Sequence, residues 1–410
     1  MADASSINPI PVGLDDGYAF TKIALPDGRL LAIPSRARVG QSGVTWIHEA
    51  EQRISEYETE DTVYSVGALD GAPTHFEGYP WSGLNRAVVQ HALQQAGLAG
   101  KSVHAVSGLP VSTFYRKSGE HRQETIARKR DSLKQAVHPL SGALPAGIAF
   151  HEVIPEALAA WYDYVIVELE DGVTLDADRV SVPVAIVDIG GRTTDYVVVK
   201  DQGILHASSG SLQCGMLNVK QSVADGIQER FDLESLSEQL VSQAMEHKTV
   251  RLQGKAHDVA ALVEAAMREV VERIHDETRR QLGLGIELDR VLFVGGGTVA
   301  LSKHIANWFP HQAIANILRL PMHAACSSTC VMSARPPMQP ERFNNTDFIR
   351  RHCGSVTTEA PKGRATGAQR QVSSQLPSVH LQGNGTGFHS IHPAGQAFPS
   401  GICVLRVFNL

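Results

Sequence analysis

Cysteine is scarce in this sequence, and long apolar runs are missing from it. Only five cysteines occur among 410 residues, and Cys214 is the only one that precedes Cys326. Thiols this sparse exclude a disulfide framework in the body of the chain, which favours a cytoplasmic protein. No apolar run approaches the ~20 residues that a membrane span needs, and the first residues lack the basic and apolar segments of a signal peptide. We therefore expect a cytoplasmic protein without a membrane partner.

The sequence also lacks a basic charge excess and two common nucleotide-binding motifs. Its formal net charge is -6, so we expect no direct binding to DNA, because lysine and arginine supply most of the affinity for the phosphate backbone. Neither GxGxxG nor GxxxxGK[ST] occurs, which argues against dinucleotide-binding and P-loop folds. A chain of 410 residues is nevertheless long enough for two domains, each with its own core.

Strand and helix patterns alternate along the chain. Residues 11–15 are typical of a strand, residues 82–98 of a helix, and residues 258–284 of a long amphipathic helix whose apolar side chains recur three and four residues apart. The charged residues 115–135 fit a solvated helix face, and the acidic, turn-rich residues 168–182 fit a domain junction. The alternation predicts α/β layers around a largely parallel or mixed sheet.

The stretch AIVDIGGRTTDYVVV (residues 185–199) interrupts an apolar, strand-like run with a small polar segment. Gly190 and Gly191 allow backbone N–H groups to approach an oxyanion closely, and Thr193 adds a hydroxyl donor. Asp188 cannot hold a phosphate itself, because the two negative charges repel each other. A carboxylate at this place can instead orient the waters around a magnesium ion that is bound to the phosphates. The stretch therefore predicts a phosphate clamp built on a hairpin.

A second copy of this pattern lies near the N-terminus, in VGLDDGYAFTKIAL (residues 12–25). Asp15 and Gly17 occupy the turn, and Lys22 provides a cationic donor. Taken alone, each stretch is most simply explained as an ordinary Asp-Gly turn, and the triple glycine at 295–297 as an ordinary turn after a buried strand. The ordered set is more specific, because it combines both hairpins, a glutamate at a helix start between them, and the glycines after a strand.

This ordered set resembles the actin, sugar-kinase and DnaK-chaperone superfamily of ATPases, and within it the ParM/StbA family of plasmid-segregation actins. The resemblance covers about residues 10–315 and is carried by the motifs DDGYAFTK, SGLPVSTFY, VIPEALAA, DIGGRTTDY and VLFVGGGTVAL. It implies an α/β, actin-like ATPase fold with two α/β domains around a nucleotide cleft. Domain I would span residues 10–178, with a short return after about residue 300, and domain II would span residues 179–299.

The same resemblance implies roles for individual residues. Asp15 and Asp188 would bind Mg²⁺ through water, and Asp188 would also be catalytic. Glu156, in the helix for which Pro155 suits the first position, would be catalytic by positioning or activating the attacking water, as phosphoryl transfer to water requires. Arg192 reaches either phosphate or solvent, and both interpretations stay open. The nucleotide-binding residues implied are Asp15, Gly17, Lys22, Gly190, Gly191, Thr193, Gly295, Gly296 and Gly297.

The function implied by the resemblance is slow, Mg²⁺-dependent hydrolysis of ATP. The chain would polymerise with itself into filaments and segregate plasmid DNA through a DNA-binding adaptor at a centromere site. Two other functions of the superfamily remain open. A sugar-kinase-like phosphotransferase needs a substrate base and a small-molecule pocket, for which the sequence has no dedicated motif. A chaperone-like ATPase needs a separate peptide-binding β-domain, which the sequence after Gly297 does not resemble.

The sequence changes character after Ala315. Cysteines cluster, helical periodicity is lost, and a stretch rich in glycine, serine and histidine is typical of a linker or a disordered segment. We hypothesise that residues 316–410 are an atypical tail, disordered or produced by a frameshift after Ala315, with a divergent natural extension as the alternative. His323, Cys326 and Cys330 suggest a zinc site, but a second pair of ligands at conventional spacing is missing.

Overall fold

Two mixed sheets of similar design form the framework of the protein. A computed structural model describes residues 8–45, 47, 54–67, 74, 76–169, 172–314, 355–356 and 379–382. Each of the two sheets begins with an antiparallel hairpin and continues with parallel strands that helices connect. The predicted α/β layers with a mixed sheet are therefore confirmed.

The first sheet and its helices occupy the N-terminal part of the chain. Its elements are β1 (Ile10–Asp16), β2 (Phe20–Ala24), β3 (Leu30–Pro34), α1 (Gly83–Gln95), β7 (Ser102–Leu109), α2 (Val111–Phe114), α3 (Gln123–Ser132) and β9 (Gly147–Pro155). The strand order is β3-β2-β1-β7-β9, in which β1 is antiparallel to β2 and parallel to β7. Val12 and Leu14 alternate along β1, and they pack in one apolar cluster with Val89 and Leu93 of α1.

A smaller antiparallel sheet packs on helix α1. Its strands, in the order β4-β6-β5-β8, are β4 (Ala37–Val39), β5 (Ile54–Thr59), β6 (Thr62–Gly67) and β8 (His138–Pro139). Tyr57 and Val66 from this sheet share a buried cluster with Ala87 and Val88 of α1. Helix α1 is therefore covered on two sides, which explains why most of its residues are buried.

The second sheet repeats the hairpin and the parallel strands. Its elements are β12 (Val184–Ile189), β13 (Thr194–Lys200), β14 (Gly203–Ile204), β15 (Gly210–Leu212), α6 (Met216–Phe231), α7 (Glu238–His247), β16 (Thr249–Leu252), β17 (Lys255–Asp258), α8 (Ala260–Leu282), β18 (Arg290–Val294), α9 (Gly296–Ala300), α10 (Ser302–Ile305) and β19 (Gln312–Ile314). The strand order is β14-β13-β12-β18-β19, while β15 pairs with β13 and β16 pairs with β17 outside this path. Helix α8 confirms the predicted amphipathic helix, since Val263, Val270 and Ile274 are buried on one face.

Helix α4 (Glu156–Val165) lies between the two sheets. Its buried residues share one apolar cluster with Val106 and Ile154 of the first sheet and with Ile186 and Val197 of the second. Because burial of apolar surface is the main favourable contribution to folding, this shared cluster holds the two halves together beneath the space where the two hairpins meet.

Several local predictions are corrected by the structure. Pro155 ends β9 and caps the helix, so α4 begins one residue later, at Glu156. The turn-rich stretch predicted at residues 168–182 overlaps regular structure, namely β10 (Ile166–Leu169), β11 (Gly172–Leu175) and the short helix α5 (Ala177–Ser181), since β-branched residues favour strands here. Its role as a domain junction stays a prediction. The charged stretch at 115–135 is not wholly solvated, because Lys129 on α3 is 1% exposed.

The second sheet also continues further than the resemblance implied. Strand β19 pairs in parallel with β18, so residues 312–314 belong to the second sheet. The division into domain I (residues 10–178, with a short return after about residue 300) and domain II (residues 179–299) stays a prediction. Beyond that point only β20 (Ser355–Val356) and β21 (Val379–Gln382) are described; they pair with each other, and β21 pairs with β11. His323, Cys326 and Cys330 lie outside the described residues, and the origin of the tail stays a prediction.

No helix among the described residues combines the length and apolar character needed to cross a bilayer.

Candidate functional site

A cleft with a volume of about 560 Å³ lies between the two sheets, where both hairpin turns meet the start of α4. Every residue that the sequence predicted for the site lines this one cleft, although these residues come from four separate parts of the chain. They are Asp15, Gly17, Lys22, Glu156, Asp188, Gly190, Gly191, Thr193, Gly295, Gly296 and Gly297. The structure thus brings the whole predicted set together, while the role of each residue stays a prediction.

The turn between β1 and β2 carries carboxylates that are already paired with lysines. Asp15 stands opposite Lys22 in the strand register, and Lys22 Nζ donates to Asp15 Oδ2 at 2.8 Å. Asp16 accepts hydrogen bonds from Asn85 Nδ2, at 2.8 Å, and from Lys129 Nζ. Both lysines therefore neutralise the first hairpin from within the protein.

Close backbone packing explains the glycine in this first turn. A Cβ atom on Gly17 would lie 2.9 Å from the carbonyl oxygen of Phe20 and 3.2 Å from Asp15 Oδ1. The carbonyl oxygen of Gly17 accepts a hydrogen bond from Ser35 Oγ at 2.7 Å. A larger residue would push the turn away from Asp15, because contacts this short do not occur with a real Cβ.

The turn between β12 and β13 carries carboxylates that face each other instead. Asp188 stands opposite Asp195 in the register, and the turn is closed by a hydrogen bond from Gly190 N to Thr193 O at 2.8 Å. Asp195 accepts from Thr193 Oγ1 at 3.0 Å and from the backbone N–H of Val111 at 3.1 Å. The Val111 contact ties the second hairpin to the start of helix α2 in the first domain.

Burial and mutual repulsion raise the pKa values of the carboxyl groups around the cleft. Burial, followed by the charge of Asp195, raises the pKa of Asp188 to about 7, although Lys22 acts in the opposite direction. Burial also raises the pKa of Asp195 to about 6, against the hydrogen bonds that it accepts. The pKa of Glu156 lies well above its usual range, because of burial first and the charge of Asp15 next. A cation bound among these groups would relieve part of this repulsion.

The turn after β18 packs closely against the end of β12. Gly295 has φ +87°, a conformation that side chains with a Cβ rarely adopt, and a Cβ here would overlap Asp188 Oδ1 and lie 2.6 Å from Ile189 O. A Cβ on Gly297 would lie 2.7 Å from Ile189 Cγ2. The glycines thus let the β18–α9 turn approach the cleft wall closely, which leaves backbone rather than side chain at this surface.

The carboxylates of the cleft fit a hard cation that is shared with a ligand. No group of three or more histidine, cysteine, aspartate or glutamate residues within the described ranges is arranged to hold a metal by itself. Asp15 and Asp188 nevertheless line the same cleft from opposite hairpins. Mg²⁺ is commonly bound by one or two carboxylates together with phosphate oxygens and waters, and these two aspartates match that kind of site.

Several cleft residues were missed by the sequence analysis. On one wall, Lys129 comes from α3, and on the other, Lys220 Nζ on α6 pairs with Glu238 on α7. Arg36 joins the two halves, since its Nη2 donates to Ser242 Oγ at 3.3 Å. No local motif marks these residues: each looks like an ordinary charged surface residue until the fold brings its partner close.

Two parts of the chain match known family models. Residues 39–165 match the model of plasmid segregation protein ParM, N-terminal, and residues 186–307 match the model of archaeal actin homologue MreB-like, C-terminal. A comparison with the curated proteins finds no match. The resemblance to ParM-type actins is therefore supported independently in the N-terminal part, and a related actin homologue is matched in the C-terminal part.

Solved structures of actin homologues are similar to this chain over most of their length. A ParM filament from Clostridium botulinum is 16% identical with a TM-score of 0.59, and the match covers 76% of this chain and 95% of that one. An archaeal actin homologue in complex with ADP is 20% identical with a TM-score of 0.57, covering 73% and 92%. Bacillus thuringiensis ParM with ATP is 17% identical with a TM-score of 0.51, covering 75% and 93%. The predicted actin-like fold is confirmed.

Proposed function

We propose that this chain, an actin-like protein whose N-terminal part matches the ParM family model, is a Mg²⁺-dependent ATPase that polymerises with ATP. In this proposal the filaments act in the cytoplasm and move plasmid DNA through a DNA-binding adaptor. The observation that carries the proposal is the convergence of both hairpins, Glu156 and the triple glycine on one cleft. Adenine nucleotides are present in two of the similar structures: the archaeal actin homologue is in complex with ADP, and Bacillus thuringiensis ParM is with ATP.

Both hairpin turns suit the binding of phosphate groups by backbone donors. Residues 17–20 and 190–193 line the cleft, and their glycines allow the backbone to approach a phosphate closely. The hydroxyl of Thr193 donates to Asp195 without a ligand, and would have to leave that carboxylate in order to donate to a phosphate. Mg²⁺, when bound, would neutralise phosphate charge. Asp15 and Asp188 would orient its waters from opposite sides.

Glu156 is the residue that we propose to act on an attacking water. It is the first residue of α4, lines the cleft and has a raised pKa. A carboxylate with a raised pKa is a stronger base, and positioning is the main requirement of phosphoryl transfer to water. Charge neutralisation at Asp15 and Asp188 would lower the pKa of Glu156 again and favour its ionised form.

Filament formation is the part of the proposal that separates it from other actin-like functions. One of the similar structures is a ParM filament, and this supports self-association as the expected behaviour of the present chain. A phosphotransferase or a chaperone-like ATPase with the same cleft would hydrolyse ATP without forming polymer. The proposed adaptor rests on the family resemblance alone.

High-speed pelleting with and without ATP and Mg²⁺ tests the proposal. We expect the full chain to pellet with ATP and Mg²⁺, to stay in the supernatant with ADP, and to release phosphate slowly. The Glu156→Gln variant should form polymer that persists, because it binds ATP but hydrolyses it slowly. Phosphate release without any polymer would favour the phosphotransferase or chaperone-like alternatives, and the absence of both would contradict the proposal.

A further inference from the structure

The lysines that line the cleft are already neutralised by carboxylates. Lys22 pairs with Asp15, Lys129 with Asp16, and Lys220 with Glu238. A nucleoside triphosphate brings several negative charges into this space, and Mg²⁺ offsets only part of them. The two arginines in the lining, Arg36 and Arg192, have no carboxylate partner within the described part of the chain.

Arg192 is held in place by neutral groups. Its Nε donates to Gln213 Oε1 at 3.1 Å, and its guanidinium carbon lies 5.4 Å from the centre of the Tyr18 ring. Its Nη1 is buried, yet no described residue accepts a hydrogen bond from it. A guanidinium is always charged, and a buried donor without a partner costs free energy. Arg192 is therefore oriented but not satisfied.

Arg192 also lies at the point where the two hairpin turns touch. A Cβ on Gly191 would lie 3.2 Å from Ala19 Cβ and 3.3 Å from Ala19 N. The side chain of Arg192 starts from the second turn and reaches Tyr18 in the first. A phosphate that is bound by both turns would therefore lie close to this guanidinium.

We propose that Arg192 binds the terminal phosphate of the nucleotide and makes the cleft select ATP over ADP. The inference rests on the proposed function, since it names a further residue of the same site. A phosphate oxygen supplies the acceptor that Nη1 lacks, with the opposite charge and with geometry that suits a guanidinium. Gln213 is a positioning residue, which aims the guanidinium without cancelling its charge. ADP lacks the group that Arg192 binds, so its affinity depends little on this side chain.

Calorimetric titration of the full chain with ADP and with a non-hydrolysable ATP analogue tests this role. Both are titrated in Mg²⁺, at protein concentrations too low to scatter light. The variants are Arg192→Met, Arg192→Lys and Gln213→Leu. The matched control is Arg279→Met, because Arg279 is also half-buried and lies 5.3 Å from an aromatic ring, that of Phe309, but does not line the cleft.

The expected result is a loss of selectivity. Arg192→Met should weaken binding of the ATP analogue by about ten-fold or more, the size of one charged hydrogen bond, with little change for ADP. Arg192→Lys should retain part of the preference, Gln213→Leu should lose a smaller part, and Arg279→Met should change neither affinity. Equal weakening of both nucleotides, or an unchanged ratio, would overturn the inference. If the unaltered chain binds neither nucleotide, the proposed function fails instead.

Discussion

The two hairpins of the cleft, β1–β2 and β12–β13, have the same strand register at their turns. They differ in the charges of the residues that stand opposite each other. Asp15 and Lys22 face each other in the first, while Asp188 and Asp195 face each other at the equivalent place in the second. The residues between the closing pairs are 17–20 and 190–193. Similar backbones thus hold a neutral pair on one side of the cleft and two acids on the other.

This difference indicates that the two hairpins have different roles in ligand binding. The first hairpin is stable without a ligand, because lysines neutralise Asp15 and Asp16. In the second hairpin, the pKa of Asp188 is raised to about 7 by burial and by Asp195. A bound cation would therefore stabilise the ionised form of Asp188. We infer that ligand binding is coupled mainly to the second hairpin, and the following predictions test that comparison.

The largest effect is expected at Glu156, which lies between the hairpins and is affected by the acids of both. Glu156→Gln should slow ATP hydrolysis by about 10²–10⁴-fold, because it removes a group that positions or deprotonates water. ATP affinity should change little. Phosphate release in single turnovers gives the rate. Glu124→Gln, at an exposed position on α3, is the matched control, and unchanged hydrolysis in Glu156→Gln would remove Glu156 from the mechanism.

A comparably large effect on stability is expected from Lys129→Met. This change leaves Asp16 as a buried carboxylate without its cation, and breaking a buried pair in this way costs about 3–5 kcal/mol of unfolding free energy. Denaturant unfolding measures the loss. Lys134→Met, an exposed position after α3, should stay within about 0.5 kcal/mol. An equally small effect of Lys129→Met would mean that the first hairpin does not depend on internal neutralisation.

The two aspartates that face the ligand should differ in their effect on Mg²⁺-dependent binding. Asp188→Asn should weaken binding of ATP with Mg²⁺ by about ten-fold or more, as loss of a charged contact does. Asp15→Asn should have a smaller effect, because it also releases Lys22 to contact phosphate directly. Titration calorimetry of both variants compares them. A larger loss in Asp15→Asn would reverse the assignment of the hairpins.

The smallest expected effect is on the pH dependence of stability without ligand. The pKa of Asp188 is about 7 in the folded chain against an ordinary value of 3.8. The folded state therefore keeps this proton where the unfolded chain has lost it. Its contribution to stability falls as pH rises from about 4 to about 7 and then levels off.

Asp188→Asn should remove this decline, so the melting temperature near pH 7 should rise above that of the unaltered chain while the melting temperature near pH 4 should change less. Asp195 adds a similar decline up to about pH 6, and this part should persist in the variant. Thermal unfolding followed by circular dichroism at several pH values provides the comparison. If the melting temperature of the variant depends on pH in the same way as that of the unaltered chain, the pKa of Asp188 is not raised in the folded state.

The sequence was enough to predict the fold and the part of the cleft lining that the two hairpins, Glu156 and the triple glycine provide, because these features are local. Hairpin turns with aspartate, glycine and threonine, and glycines after a buried strand, can be identified within a few residues of each other. Strand β19 was missed, since Gln312–Ile314 is too short to show a pattern. Pro155 was placed one residue too far into its helix, because a proline suits both the cap and the first turn.

The electrostatics of the cleft could not be predicted in the same way. Lys129 and Asp16 are 113 residues apart, and α3 looks like a solvated helix until β1 is placed beside it. Lys220 and Glu238 meet only because α6 and α7 pack together. The open question about Arg192 likewise depended on Tyr18 and Gln213, which no spacing rule connects to it.

The most direct test of the account is the affinity of the full chain for ATP, measured by titration calorimetry with Mg²⁺ and again with a chelator. The account predicts saturable binding at one site per chain in Mg²⁺, displaced by ADP and strongly weakened when the metal is removed. Absence of ATP binding in the presence of Mg²⁺, or equal affinity with and without the metal, would contradict the claim that the two hairpins together form a Mg²⁺–nucleotide site.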